Sequence, residues 1–137
     1  MQKLEKLEIR INASFKNKDL LIEALTHRSY LNEAPRARKS HNERLEYLGD
    51  AVLELAVSEE LYQKFPEFPE GKLTVLRAAL VNYQMLGKVA LDIDLQDYIL
   101  MSRGEKSDNA KAKEVVLANA IEALIGALYL DEGFKAA

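Results

Sequence analysis

The chain has 137 residues, 48% of them hydrophobic and 30% charged, with few glycines and prolines. That is enough for one domain with a buried core, and too apolar for a disordered chain. The absence of cysteine excludes disulfides, thiolate metal centres and cysteine nucleophiles, while two histidines make a His-rich zinc site a poor fit. A net charge of −3 argues against a nucleic-acid binder driven by charge alone.

The charged opening MQKLEKLEIRI holds no apolar run of signal-peptide or membrane-span length, so no membrane partner and a cytoplasmic location are expected. Apolar spacing is helical almost throughout, and no strand-like alternation of convincing length competes. The fold class is therefore all-α. Helices are expected over 1–11 and 18–24, then a loop over 32–39 with Pro35 and three basic residues. Ser40 followed by Glu43 has the spacing of a capping box and opens a long helix to about residue 62. The prolines and glycine of FPEFPEG break it over 65–71. A further helix is expected over 72–91, a shorter helical piece over 96–101, a polar loop over 102–109 and a final helix over 111–130.

At about 100° per residue, the first long helix gathers Leu45, Leu48, Val52, Leu55 and Ala56 on one side. Glu43, Glu46, Asp50 and Glu54 gather on the other. Such a face is ordinarily a solvated one. Carboxylates one turn apart with no lysine among them repel, though, by a few tenths of a kcal/mol per pair, unless something positive lies between them. Tyr47 shares that face, where an aromatic suggests a partner surface.

The last helix is sharper. From Val115 to Leu130 the polar side chains are Asn119, Glu122 and the hydroxyl of Tyr129. A helix apolar nearly all round is a buried one, and an ionised Glu within it must be paired or bound to a metal. Pairing with Arg44 or Arg77 and metal binding are equally open on this helix alone; the acidic stripe elsewhere favours the metal. Gly126 shares the face and leaves room for another helix or a ligand. Oxygen donors without Cys or His suit Mg²⁺ or Mn²⁺ rather than zinc. Carboxylate-held ions of this kind serve phosphoryl chemistry. No GxxxxGK[ST] loop or GxGxxG turn is present, so no nucleotide cofactor is expected and a phosphodiester in a polymer is the natural substrate. Nothing downstream completes a nucleophile triad with His27 and Ser29, so His27 and His41 are expected to be structural.

HNERLEYLGD at 41–50 resembles the signature of the ribonuclease III endonuclease domain, the double-strand-specific RNA nucleases. THRSYLNE at 26–33, PEGKLTVLRAALVN at 69–82 and LANAIEALIGALYLDEG at 117–133 fall in that family's order and spacing, so the resemblance covers essentially the whole chain. It implies an all-α homodimer with a valley across it, holding one active centre from each subunit. It also implies Mg²⁺-dependent cleavage of double-stranded RNA in rRNA and other RNA processing, with Mn²⁺ as a substitute. Products would carry 5′-phosphates, 3′-hydroxyls and short 3′ overhangs. Glu46, Asp50, Asn119 and Glu122 would form the metal shell, with Asp50 and Glu122 catalytic. Glu43 and Glu70 would line the valley, and Tyr47 would enter a socket on the partner subunit.

Two departures matter. The family usually carries Asp where this chain has Asn119, which can ligate but brings no charge. A weaker metal site is expected, and a silent RNA-binding or scaffold domain is the rival reading; the retained Glu122 argues against it. The bacterial family also continues into a double-stranded-RNA-binding domain. Residues 1–137 are thus expected to be a single endonuclease domain from a longer chain, with a stand-alone Mini-III-like enzyme as the alternative. RNA contacts then fall to loop cations: Arg36, Arg38, Lys39, Arg103, Lys106, Lys111 and Lys113. Each of these taken singly is ordinary solvated surface, and binding is expected to be weak and salt-sensitive.

Overall fold

Two long helices, α4 (Glu43–Lys64) and α7 (Ala110–Glu132), make the largest contact in the computed structural model, which describes residues 2–33, 40–103 and 109–137. The other elements are α1 (Gln2–Arg10), α2 (Lys18–Ala24), α3 (Tyr30–Glu33), α5 (Glu70–Leu80), α6 (Tyr83–Asp92) and a 3₁₀ turn at Leu95–Asp97. Among the described residues there is no strand, only an isolated parallel bridge between Thr26 and Leu100. No described helix is long and apolar enough to cross a membrane.

The near-uniform apolarity of α7 has its reason in its position. From Leu117 to Leu128 it lies buried among α4, α6 and α2, and its Leu117, Ile121, Leu124 and Leu128 form the spine of the core. Two glycines set how close α4 comes. A Cβ on Gly126 would lie 2.3 Å from the Leu45 carbonyl oxygen, and one on Gly49 would lie 1.6 Å from that of Glu122. The space beside Gly126 therefore serves a helix, not a ligand. The buried line of α4 accordingly runs through Leu45, Gly49 and Val52, leaving Leu55 exposed on what spacing alone made the apolar side.

Asn82 divides the helix expected over 72–91. Its Oδ1 accepts from the Met85 N–H at 2.8 Å, while its Nδ2 donates to the carbonyls of Ala78 and Ala79. One side chain thus caps α6 and closes α5. The Ser40–Glu43 capping box does not form. Ser40 donates instead to the Glu23 carboxylate, and the residue preceding α4, Asn42, turns its amide to the Ala24 carbonyl. Helix α3 and the early start of α5 at Glu70 were not legible from spacing. The helical piece expected over 96–101 shrinks to the 3₁₀ turn, because Leu100 joins its bridge to Thr26.

Long-range polar anchors fix the remaining connections. Asp131 near the end of α7 accepts from the backbone N–H groups of Lys16 and Asn17 at 2.8 and 2.9 Å, locking the entry to α2. Buried Glu8 accepts from the Phe15 N–H at 2.8 Å and pairs with Lys18. Burial pushes its carboxyl up, but the Lys18 ammonium and the Phe15 N–H more than offset this and hold it below the usual range. A lowered native value contributes stability that is present above the unfolded value and lost as pH falls through the native one. Glu8→Ala is expected to cost about 1–3 kcal/mol at neutral pH. The difference should shrink as denaturation is followed into the acid range below pH 4.5. A gap independent of pH would dissociate the loss from this carboxylate.

Candidate metal centre

The α4–α7 crossing brings together acids that lie far apart in sequence. Asn119 and Glu122 stand one turn apart on α7, Glu46 and Asp50 one turn apart on α4. Gly49, between the latter pair, touches the backbone of Glu122. Glu122 is 6% exposed and lies within hydrogen-bonding reach of Asp50. Its carboxyl is pushed up to about 8, first by burial, then by the bond to Asp50 and the negative charges of Asp50, Glu46 and Glu54. Burial, together with Glu43 and Asp50, also raises Glu46.

Among the described residues no ion pair balances Glu122. Arg77 donates to Ser58 at 2.9 Å, and Arg44 is exposed. The arginine pairing left open by the sequence is absent. One further feature was invisible to spacing: the Asn119 side-chain oxygen is fully buried and accepts no hydrogen bond. A buried acceptor without a partner is costly and calls for an explanation. Among the described residues, no three His, Cys, Asp or Glu side chains converge at metal-ligand spacing. The donor set nevertheless fits a hard divalent cation in kind: carboxylates in excess of positive charge, one amide oxygen in want of a partner, and no soft ligand.

The remaining expected residues fall in different places. Glu43 opens α4 and is exposed, paired with Arg28 at 3.4 Å and near His41. Glu70 opens α5, exposed, and is not among the groups that perturb Glu46 or Glu122. Glu54, which the sequence placed on the stripe without singling it out, does act on Glu122. Tyr47 is 84% exposed. Arg103, Lys111 and Lys113 are exposed; Lys113 lines a cavity of about 920 Å³ with Lys3, Lys88 and Leu117. Arg36, Arg38, Lys39 and Lys106 lie outside the described residues. Ser29 is no nucleophile: it is buried, bonded to His27 Nδ1 at 2.7 Å, and accepts from the Ser102 N–H at 2.9 Å.

Known proteins resemble this all-helical domain in both sequence and fold. Residues 17–137 match the family model described as Ribonuclease-III-like. Ribonuclease 3 of Geobacillus kaustophilus is 48% identical over 134 residues, which are 98% of this chain and 54% of the relative. That of Campylobacter jejuni is 49% identical over 136 residues, 98% of this chain and 58% of the relative. The nuclease domain of C. jejuni ribonuclease III superposes with a TM-score of 0.87 at 47% identity, covering 98% of this chain and 88% of that one. Dicer from Pichia stipitis gives 0.63 at 32% identity, over 85% of this chain and 47% of its own. The chain belongs to the ribonuclease III family. It spans about half the length of the curated relatives it matches.

Proposed function

We propose that this chain is the catalytic domain of a divalent-metal-dependent endoribonuclease. It would hydrolyse phosphodiester bonds of double-stranded RNA to 5′-phosphate and 3′-hydroxyl ends, in rRNA and other RNA processing. The observation that carries this reading is the buried Glu122 carboxyl held against the exposed Asp50, beside the unpartnered Asn119 oxygen, with no ion pair to Glu122 among the described residues. Membership of a family whose relatives are named ribonuclease 3 supports it.

Mg²⁺ is the proposed ion, with Mn²⁺ as a substitute, and Glu46, Asp50, Asn119 and Glu122 would hold it. When bound, such an ion supplies charge that acidifies a water and offsets the developing charge on phosphoryl oxygens. The chain's own part is to hold the four ligands on two rigid helices locked at Gly49 and Gly126. Glu122 keeps a proton on the pair with Asp50 until a cation replaces it. No side chain serves as a covalent nucleophile in this scheme. Glu43 and Glu70 are assigned to the rim of the same valley.

A homodimer is part of the proposal. The nuclease domain of C. jejuni ribonuclease III, which superposes with a TM-score of 0.87, has been described with a region involved in dimer formation. Tyr47, exposed beside a cleft lined by Arg44, Leu48 and Leu130, is the side chain we assign to the partner.

Asn119 favours one rival, a catalytically silent RNA-binding domain, because it leaves the ligand set one charge short. Cleavage of a long RNA duplex at low salt with Mg²⁺ or Mn²⁺, by the chain and by Asn119→Asp, separates the two. Cleavage by both is expected, roughly tenfold faster in the variant, since an anionic ligand tightens the ion. Cleavage by the variant alone would establish the silent reading. Cleavage by neither would remove the catalytic one.

A further inference from the structure

We propose that Arg28 is a phosphate contact for the RNA duplex, placed at the rim of the acidic centre. The inference rests on the substrate reading above. Within THRSYLNE, His27 and Ser29 are engaged in holding the turn, and Arg28 is the residue that the turn presents. The anchoring is dense. The His27 N–H donates to Leu100 O and the Leu100 N–H to Leu25 O, both at 2.8 Å. The Ser102 N–H donates to Ser29 Oγ at 2.9 Å, and the Asn42 N–H to Thr26 O at 2.9 Å. Thr26 and Ser29 are buried, yet the Arg28 side chain between them is 72% exposed. A fixed backbone with a projecting guanidinium loses little freedom when it takes a ligand.

Direction follows from the partner. Arg28 Nη1 reaches Glu43 Oε1 at 3.4 Å, one helical turn before Glu46 on α4. At that length, and this exposed, the pair is weak, and it occupies one edge of a guanidinium that can grip phosphate bidentately. A duplex approaching Glu122 meets the carboxylates of Glu43, Glu46 and Asp50 on α4; Arg28 is a cation that the fold sets at their edge. A-form RNA offers backbone phosphates rather than base edges to such a group.

The test is fluorescence anisotropy of a labelled RNA duplex titrated with protein in metal-free buffer over a series of salt concentrations. Arg28→Ala is expected to raise Kd about three- to tenfold and to reduce the salt slope by about one. Arg28→Lys should keep the slope. Glu43→Gln, which removes the competing carboxylate, should tighten binding. An unchanged Kd and slope in Arg28→Ala would overturn the contact. So would equal weakening by Arg28→Ala and Glu43→Gln, because Arg28 would then serve only to hold Glu43. Failure of the unmodified chain to bind the duplex would overturn it as well. A chain that binds through Arg28 but never cleaves when Mg²⁺ is supplied removes the catalytic reading and leaves this one standing.

Discussion

Glu122→Gln is expected to lower duplex RNA cleavage by about 10³-fold or more, a loss of several kcal/mol of transition-state stabilisation. The same change should make the metal-free protein more stable at pH 8. Both effects come from one buried carboxyl. With the unfolded value at 4.5 and the native one at about 8, the native state holds the proton more tightly. A raised native value contributes stability that is full below the unfolded value and lost as pH rises through the native one. The metal-free protein should therefore weaken between pH 4.5 and 8, as the unfolded carboxyl ionises freely while burial and the charges of Asp50, Glu46 and Glu54 keep the native one from doing so. Gln cannot ionise, so its melting temperature should match that of the unmodified chain near pH 5 and exceed it by several degrees at pH 8. Added Mg²⁺ should raise the unmodified chain at pH 8 by linkage and leave the variant nearly unmoved. Thermal melts at the two pH values, with and without Mg²⁺, check all of this. Full cleavage by the variant, or coincident pH profiles, would remove Glu122 from the centre.

The sequence disclosed the elements of this centre more readily than their joining. Helical spacing alone put Glu46 and Asp50 on one face and isolated Asn119 and Glu122 on an apolar helix, because periodicity is a local property. It could not show that the acidic stripe of α4 runs into the seam with α7, since that depends on which α4 residues permit close approach. Gly49 was the available signal: a glycine inside a long helix is unfavourable and calls for a reason. Asn82 splits α5 from α6 although apolar spacing runs unbroken through it, and only its cap chemistry marks the division. Asp131 binding the backbone at Lys16 and Asn17 joins positions 115 and 114 residues apart, for which no local pattern exists. Asn42 spends its side chain on Ala24, and so the expected capping box gave way to a tertiary bond. The family resemblance supplied the roles of these acids; the charge imbalance around Glu122 and the orphaned Asn119 oxygen are the physical grounds that support them.

Gly49→Ala is expected to be the most destabilising single methyl group in the described molecule, at about 3–5 kcal/mol, out of a total typically near 5–15. The new Cβ would sit 1.6 Å from the Glu122 carbonyl oxygen, 2.5 Å from its carbon and 2.9 Å from the Gly126 nitrogen. Every one of these atoms is backbone, so no rotamer change relieves the clash and the two helices must part. Because α4 and α7 carry the core between them, a shift there opens packing along Leu45, Ile121 and Leu124. The melting temperature should fall by about 10–20 °C. Whatever fraction still folds should cleave poorly, since moving α4 separates Asp50 from Glu122. Gly71→Ala is the control: its Cβ would meet nothing within 4 Å, it lies in the first turn of α5, and a neutral or slightly stabilising change is expected. Equal melting temperatures for the two variants would mean that the helices tolerate a wider spacing than the glycine contact dictates. Loss at Gly49 alone ties the geometry of the acidic centre to one residue whose contribution is to have no side chain.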